Sequence, residues 1–357
     1  LKVVTVVGAR PQFVKASMLS RALQSHVEEV MIHTGQHYDS NMSDVFFSQL
    51  KINEPKYMLN TGSDSHGAQT AKMLVEIERI LQLELPDWVL VYGDTNSTLA
   101  GSLAAAKLHR RVAHVEAGLR SFNRAMPEEL NRLLTDHLSS LLFCPTDTAV
   151  ENLANEGIRS GVHQVGDIMC DALLHFQQQT IHKANELVPV LSHSGSSYAV
   201  VTIHRAENTD NPGRLHDILL ALRESKYPIV MPLHPRTRKT IQKQGLEALM
   251  NCDTITVLDP LPYFEMLMLT SQAKLVLTDS GGLQKEAYML KVPCVTLREQ
   301  TEWPETVLAG WNSLVGSDKA AILKAIHATN KPLSWPSLYG TGSTAEAIVK
   351  ILMETGS

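Results

Sequence analysis

Leu275-Val276-Leu277-Thr278-Asp279-Ser280-Gly281-Gly282-Leu283-Gln284-Lys285-Glu286-Ala287 joins an apolar run of strand type to a helical pattern through a turn of small residues. The first turn of such a helix has unpaired N–H groups and the positive end of the helix dipole, and adjacent glycines let an anion approach the backbone. Ser280, Gly281 and Gly282 therefore read as a cradle for a pyrophosphate. Glu286, about one helical turn further on, can accept hydrogen bonds from a ribose diol. The same pattern on its own also fits an ordinary strand-to-helix turn that uses glycine for tightness.

Working outward, the rhythm repeats. Val3 to Val7, Val30 to His33, Trp88 to Tyr92, Val112 to Val115 and Leu141 to Cys144 read as buried strands, with helical spacing in Pro11 to Leu23, Gly67 to Leu81 and Ser97 to Leu108. Strand-like runs resume at Tyr198 to Ile203, Ile229 to Met231, Ile255 to Leu258, Leu275 to Thr278 and Cys294 to Leu297. Between the two series the chain turns polar from Phe176 to Ser197, expected as helix and loop on the second domain's edge. The pattern predicts two parallel α/β domains, 1–168 and 169–342, with a final helix in 343–357 crossing back to pack on the first. Ligands of such folds bind at the carboxyl ends of the strands, here expected in a cleft between the two sheets.

Composition sets bounds. With 357 residues, 44% of them hydrophobic, the chain can bury two cores. A net charge of −5 without clusters offers no field for nucleic acid or an anionic membrane, so an anionic ligand must be held by local cations and helix ends. Cys144, Cys170, Cys252 and Cys294 are far apart, and three lie in or beside apolar runs, as buried thiols of a reducing compartment do. The absence of a leader and of any apolar run of about 18 residues points to the cytoplasm. There is no Gly-x-Gly-x-x-Gly after a strand, no phosphate-binding Gly-x-x-x-x-Gly-Lys-Ser/Thr and no Asp-x-Asp, so neither a cofactor nor a metal is expected. His33 and His37 are separated by Thr34-Gly35-Gln36, which suggests a loop more than a metal site.

The polar signatures each follow a strand. Gly8-Ala9-Arg10-Pro11-Gln12-Phe13-Val14-Lys15 opens a helix with Pro in its first turn, and Arg10 and Lys15 are expected as phosphate-binding cations. Gly93-Asp94-Thr95 and Glu116-Ala117-Gly118-Leu119-Arg120 put acids at two strand ends, where an unpaired charge is costly and reactive carboxylates are common. The plain alternatives make Asp94 a helix cap and Glu116 a partner of Arg120. In Pro127-Glu128-Glu129-Leu130-Asn131-Arg132, a helix start, Glu128 and Arg132 share a face at i,i+4 spacing, which a surface pair would also explain. His204-Arg205 and His234-Pro235-Arg236 end the first two strands of the second domain, and their histidines can donate to a diphosphate. Arg298, within Arg298-Glu299-Gln300-Thr301-Glu302-Trp303-Pro304-Glu305, belongs to a charged run that could close over a nucleotide.

Taken in order, Gly8-Ala9-Arg10-Pro11, Thr34-Gly35-Gln36-His37, Gly93-Asp94-Thr95, His114-Val115-Glu116-Ala117-Gly118-Leu119-Arg120, Pro127-Glu128-Glu129, Asn131-Arg132, His204-Arg205 and Thr278-Asp279-Ser280-Gly281-Gly282 closely resemble the non-hydrolysing UDP-N-acetylglucosamine 2-epimerases. The match covers nearly the whole chain. The resemblance implies a glycosyltransferase-B-like fold of two Rossmann-like domains, a homodimer, and a UDP-sugar substrate. It implies reversible conversion of UDP-N-acetylglucosamine to UDP-N-acetylmannosamine by loss of UDP and its return to 2-acetamidoglucal, feeding surface polysaccharide synthesis. Asp94, Glu116 and Glu128 would then serve the faces of the sugar ring, with Asp94 and Glu128 favoured for proton transfer. Lys15 and Arg132 would hold or compensate these acids, and Arg10, His204 and the Ser280 to Gly282 turn would hold the leaving diphosphate. Gly8-Ala9-Arg10-Pro11-Gln12-Phe13, Glu302-Trp303 and Gly310-Trp311-Asn312 look like a branch of the family acting on UDP-2,3-diacetamido-2,3-dideoxyglucuronic acid, whose carboxylate Arg124 could meet, though Arg124 equally fits a solvated loop charge. A UDP-sugar glycosyltransferase and a catalytically silent UDP-sugar sensor are the alternatives from other classes.

Overall fold

Val3, Val4, Val6 and Val7 are all fully buried, the pattern of a β-branched strand covered on both faces. In the computed structural model, which describes residues 1–36, 54–180, 197–328 and 330–356, they form β1 (Lys2–Val7), the middle of a parallel sheet. Its other strands are β2 (Glu28–His33), β3 (Tyr57–Met58), β4 (Trp88–Tyr92), β5 (Arg111–Val115), β6 (Leu141–Cys144) and β7 (Val162–Gln164). The order is β3-β2-β1-β4-β5-β6-β7. Val4 and Val6 pack with Val89, Val91, Ile77, Ile80 and Ala104 beneath the helices His66–Glu84 and Asn96–Lys107. Burying each such side chain contributes about 1.5–3 kcal/mol.

The second sheet repeats the plan. β8 (Ala199–Thr202), β9 (Ile229–Pro232), β10 (Ile255–Leu258), β11 (Leu275–Thr278), β12 (Cys294–Thr296) and β13 (Asn312–Leu314) run in the order β10-β9-β8-β11-β12-β13, again with parallel pairing. Val201 and Leu277 point into one core and Val200 and Val276 into the other, so strand alternation feeds both faces. In each sheet the order in which the chain adds strands reverses between two parallel neighbours, β1 and β4 in the first and β8 and β11 in the second. Ligands of doubly wound sheets bind beyond the carboxyl ends at such switch points.

The chain divides into a unit of Leu1–Leu174 with Ser337–Ser357 and a unit of His175–Pro336. The division falls inside the Ile168–Thr180 helix rather than at residue 168, because helical spacing continues past the end of the apolar strand series. The terminal helix Thr344–Thr355 packs on the Arg10–Leu23 helix of the first unit, and Asp171 Oδ2 accepts from Ala345 N at 2.8 Å at its start. Among the described residues no helix is long and apolar enough to cross a membrane. Nor is there, among them, a group of three or more His, Cys, Asp or Glu that could hold a metal ion. His37 and the polar stretch 181–196 lie outside the described residues. Cys144, Cys170 and Cys294 are buried free thiols, and Cys252 is a half-buried one.

Candidate active site

In the first unit three strand ends are stitched together. A Cβ on Gly8 would come 2.1 Å from Ser97 Oγ and 2.2 Å from Thr34 Oγ1, so only glycine lets the loop after β1 pass there. Gln12 Oε1 accepts from Gly8 N at 2.8 Å and Ala9 N at 3.0 Å, while its Nε2 donates to Tyr92 O at 2.7 Å and Thr95 Oγ1 at 2.9 Å. One buried amide thus ties the loop after β1 to the loop after β4. Gln36 Oε1 similarly accepts from Ser97 N at 2.9 Å. Helix Arg10–Leu23 begins where Pro11 permits, and the Arg10 side chain lies outside the described set.

Asp94 follows Gly93, whose φ of +62° suits glycine. Arg132 Nη2 donates to Asp94 Oδ2 at 2.5 Å and its Nη1 to Glu129 Oε2 at 2.9 Å. Glu129 also accepts from Ser121 N and Phe122 N, each at 2.9 Å. Burial pushes the Glu129 carboxyl up, but the Ser121 N–H, Arg132, the Ser121 hydroxyl and the Phe122 N–H together hold it below the usual carboxylate range. The cap of the Asn96–Lys107 helix is Thr95, accepting from Thr98 N at 3.3 Å, which leaves Asp94 out of that role.

Glu116 has φ +73°, a left-handed conformation for a non-glycine residue, and is 8% exposed. Phe143 O accepts from Glu116 N at 3.1 Å and from Ala117 N at 3.0 Å, which fixes the bend. Its carboxylate is ion-paired with Lys15 Nζ. Lys15, expected either as a phosphate-binding cation or as a residue holding the acids, lies one helical turn beyond Pro11 and is paired with this buried carboxylate. A Cβ at Gly93 would lie 3.5 Å from both Lys15 Nζ and Glu116 Oε2, so this pair borders the Gly93-Asp94 turn.

Two plain pairings are also corrected. Arg120 binds Asp136 and Glu156 instead of Glu116, and Arg132 turns from Glu128 to Glu129 and Asp94. Glu128 is half-buried at the start of the Pro127–Leu138 helix and makes no side-chain hydrogen bond among the described residues. Gln12, His114, Glu129 and Asp136 carry much of this geometry and were not singled out from the sequence. Gln12, His114 and Glu129 stand within the quoted motifs without a role of their own, and for His114 the signal is a polar residue between Ala113 and Val115.

In the second unit the fully buried Asp279 holds the loops after β8 and β11 together, accepting from His204 N at 3.1 Å, Arg205 N at 3.0 Å and Asn208 Nδ2 at 3.1 Å. Burial lowers the His204 imidazole below its ordinary range, with Asp279 pulling the other way. His234 is likewise lowered, by burial and then by Arg236. Its ring lies 6.5 Å from that of His204, and it caps the Pro235–Lys243 helix. Arg236 is exposed and paired with Asp210 at 2.9 Å.

Ser280 caps the Gly281–Met289 helix, its Oγ accepting from Leu283 N at 3.4 Å. Gly281 is buried beside Glu302 and its carbonyl oxygen accepts from Trp303 Nε1 at 2.9 Å, whereas Gly282 is exposed with only Ser280 Oγ, at 3.9 Å, near a virtual Cβ. Gly282 is helical with no left-handed φ, and the space beside its Cα is open to solvent. Glu286 is half-buried further along this helix. Arg298 is buried between Glu207, 2.9 Å from its Nε, and Glu302, 3.0 Å from its Nη1.

The first unit thus offers acids with dedicated cations at the ends of β4 and β5, and the second offers a helix N-terminus with an open glycine and an imidazole. A family profile described as UDP-N-acetylglucosamine 2-epimerase matches residues 21–353. The chain belongs to the UDP-N-acetylglucosamine 2-epimerase family. Within it, a UDP-N-acetylglucosamine 2-epimerase homolog of Methanococcus maripaludis is 54% identical, covering 99% of this chain and 99% of its own. The UDP-2,3-diacetamido-2,3-dideoxy-D-glucuronate 2-epimerase of Pseudomonas aeruginosa is 48% identical with the same two coverages, 99% and 99%. The crystal structure of Methanocaldococcus jannaschii UDP-GlcNAc 2-epimerase in complex with UDP-GlcNAc and UDP superposes with a TM-score of 0.91 at 45% identity, over 99% of this chain and 100% of that one. The fold of this epimerase-family chain is the α/β type of two Rossmann-like domains, glycosyltransferase-B-like.

Proposed function

We propose that the chain epimerises UDP-N-acetylglucosamine reversibly at C2, giving UDP-N-acetylmannosamine. The C2 hydrogen is not beside a carbonyl, so a carboxylate alone cannot remove it. As a base takes that proton, the C2–H electrons form the C1=C2 bond of 2-acetamidoglucal and the C1–O pair leaves with UDP. Re-addition of UDP with protonation on the opposite face completes the inversion. The chemistry needs acids serving both faces of the ring and cations and backbone donors for the diphosphate. Asp94 and Glu128 are the proton-transfer groups in this proposal, with Glu116 as the third acid, Lys15 holding it and Arg132 holding Asp94. His204, Ser280, Gly281, Gly282 and Arg10 take the diphosphate, Glu286 the ribose, and His234, Arg236 and Arg298 complete the binding region. No cofactor or metal enters.

The observation that carries this reading is Glu116: a buried carboxylate in a left-handed backbone, neutralised by Lys15 and bordering the Asp94 turn. Strain of this kind is retained where geometry serves a site. A second substrate, the UDP-linked diacetamidouronate, is supported by the relative at 48% identity that bears that name. Pure protein incubated separately with each nucleotide sugar, with C2 configuration followed by proton NMR, decides between them. Epimerisation of UDP-N-acetylglucosamine is expected. Turnover of the uronate alone moves the assignment to that substrate, and sugar transfer without epimerisation refutes both.

The proposal includes a cytoplasmic homodimer. Leu130 and Leu134, 45% and 51% exposed, lie one turn apart on the Pro127–Leu138 helix and support an apolar contact between copies. Light scattering should give twice the chain mass.

A further inference from the structure

We infer that His114 and Asp136 form a buried positioning pair for the C2 proton transfers, acting through the backbone on Asp94 and Glu116. The inference rests on the epimerase reading and deepens it. His114 is fully buried in β5 and Asp136 is 1% exposed on the Pro127–Leu138 helix. His114 Nδ1 lies 2.7 Å from Asp136 Oδ1, and its Nε2 lies 2.7 Å from Gly93 O. A carbonyl only accepts, so Nε2 donates its proton to Gly93.

Gly93 is therefore fastened twice to β5, since its own N–H donates to Val115 O at 3.0 Å. The next residue is Asp94. The other oxygen of Asp136 accepts from Gly118 N at 3.1 Å and Arg120 Nη1 at 2.7 Å. Gly118 lies two residues past Glu116, and its φ of +81° and a virtual Cβ 2.3 Å from Ala149 O leave room for glycine only. One carboxylate and one imidazole thus fix the exits of both strands that present Asp94 and Glu116. Burial pushes the Asp136 carboxyl up, but His114 and Arg120 outweigh it and hold the group below the usual range.

A strand that needed only to pack would not carry this pair. Val112, Ala113 and Val115 surround His114 with apolar neighbours, and hydrophobic side chains of similar volume in place of both His114 and Asp136 would pack at least as well as the buried pair. Nor can His114 reach a sugar, because both ring nitrogens are occupied and the residue is sealed from solvent. Its effect must pass through the Gly93 carbonyl.

The test compares His114→Met, which fills the volume without a donor, with His114→Gln, whose amide can still donate toward Gly93 O. Misplacing a catalytic group by about an ångström costs ~10²-fold. His114→Met is expected to lose about that much kcat with KM and UDP affinity within about threefold, and His114→Gln to recover roughly tenfold of it. Unchanged kcat, a rise in KM with kcat intact, or a glutamine no better than methionine overturns the positioning role. Should His114→Met not fold, wild type against His114→Gln decides: lower kcat at constant KM supports the role, and equal kcat overturns it. Wild-type protein that fails to exchange the C2 hydrogen refutes the reaction itself, whereas exchange in wild type with unaffected variants refutes the pair alone.

Discussion

A left-handed backbone costs a residue such as Glu116 about 1–2 kcal/mol, and its buried carboxylate is ion-paired with Lys15. Both features fall at one of the turns where the epimerase reading needs an acid. Within that reading, Asp94→Asn and Glu128→Gln should each lower turnover by at least ~10²-fold, the scale of general acid–base catalysis, with UDP affinity little changed. Near-normal turnover in a steady-state assay would return either residue to a structural role. His204 carries a prediction about pH. Burial lowers its imidazole below the ordinary 6.5, and a bound diphosphate would raise it, so UDP should bind more tightly as pH falls through the interval between the bound and free values. Calorimetry from pH 8 to pH 6 should show that gain in wild type and a shallower slope in His204→Asn. Equal slopes would place the proton uptake elsewhere. At this scale the positions of Glu116, Asp94 and His204 at strand ends were legible, because each polar residue directly follows an apolar run or stands one residue further on. His114 and Asp136 were not: inside an element, a polar residue's partner is set by the register between β4, β5 and the helix above them, which sequence does not display.

Among elements, β4, β6 and β11 coincide with their apolar runs, since interior strands of a parallel sheet are covered on both faces and must be apolar throughout, and β10, at the edge of the second sheet and only partly buried, coincides with its run as well. The edge strands β3, β7 and β13 were missed. Their two or three residues are half-exposed and polar in part, as in Val162-His163-Gln164, so no apolar run marks them. The helix Gly281–Met289 was legible from its cap and glycines. Because Gly282 is exposed with open space at its Cβ position, Gly282→Val should leave the second unit folded yet weaken UDP by at least ~10²-fold, the loss of one or two charge-assisted hydrogen bonds. Unchanged affinity by calorimetry would mean the diphosphate binds elsewhere. The helix His66–Glu84 carries a separate prediction about stability. Hydrogen bonds from Lys2, Lys56 and Tyr57 hold Glu84 down from 4.5 to about 2. A lowered folded value lends stability above the unfolded value that disappears as pH falls toward the folded one. Glu84→Gln should therefore lower the denaturation midpoint at pH 7, with the difference from wild type narrowing below pH 4.5 and closing toward 2. A difference independent of pH would show that the charge of Glu84 contributes nothing.

For the molecule as a whole, the two units repeat one strand order, and each places its polar residues beyond the strands flanking its switch point, at Gly8 and Asp94 in one and at His204 and Ser280 in the other. That recurrence is why the fold class could be read from alternating runs alone, while the family needed the ordered motifs from Gly8 to Gly282. Substrate choice stays less legible, because relatives named for two different UDP-sugars share nearly the same identity with this chain over its full length. The reaction proposed for this chain passes through loss and return of a proton at C2. The direct measurement is turnover in heavy water, with mass spectrometry and NMR of the sugar ring. The account predicts one deuterium at C2 of the product and, as the reaction reverses, at C2 of the recovered substrate. Epimerised product that retains its original C2 hydrogen would contradict it.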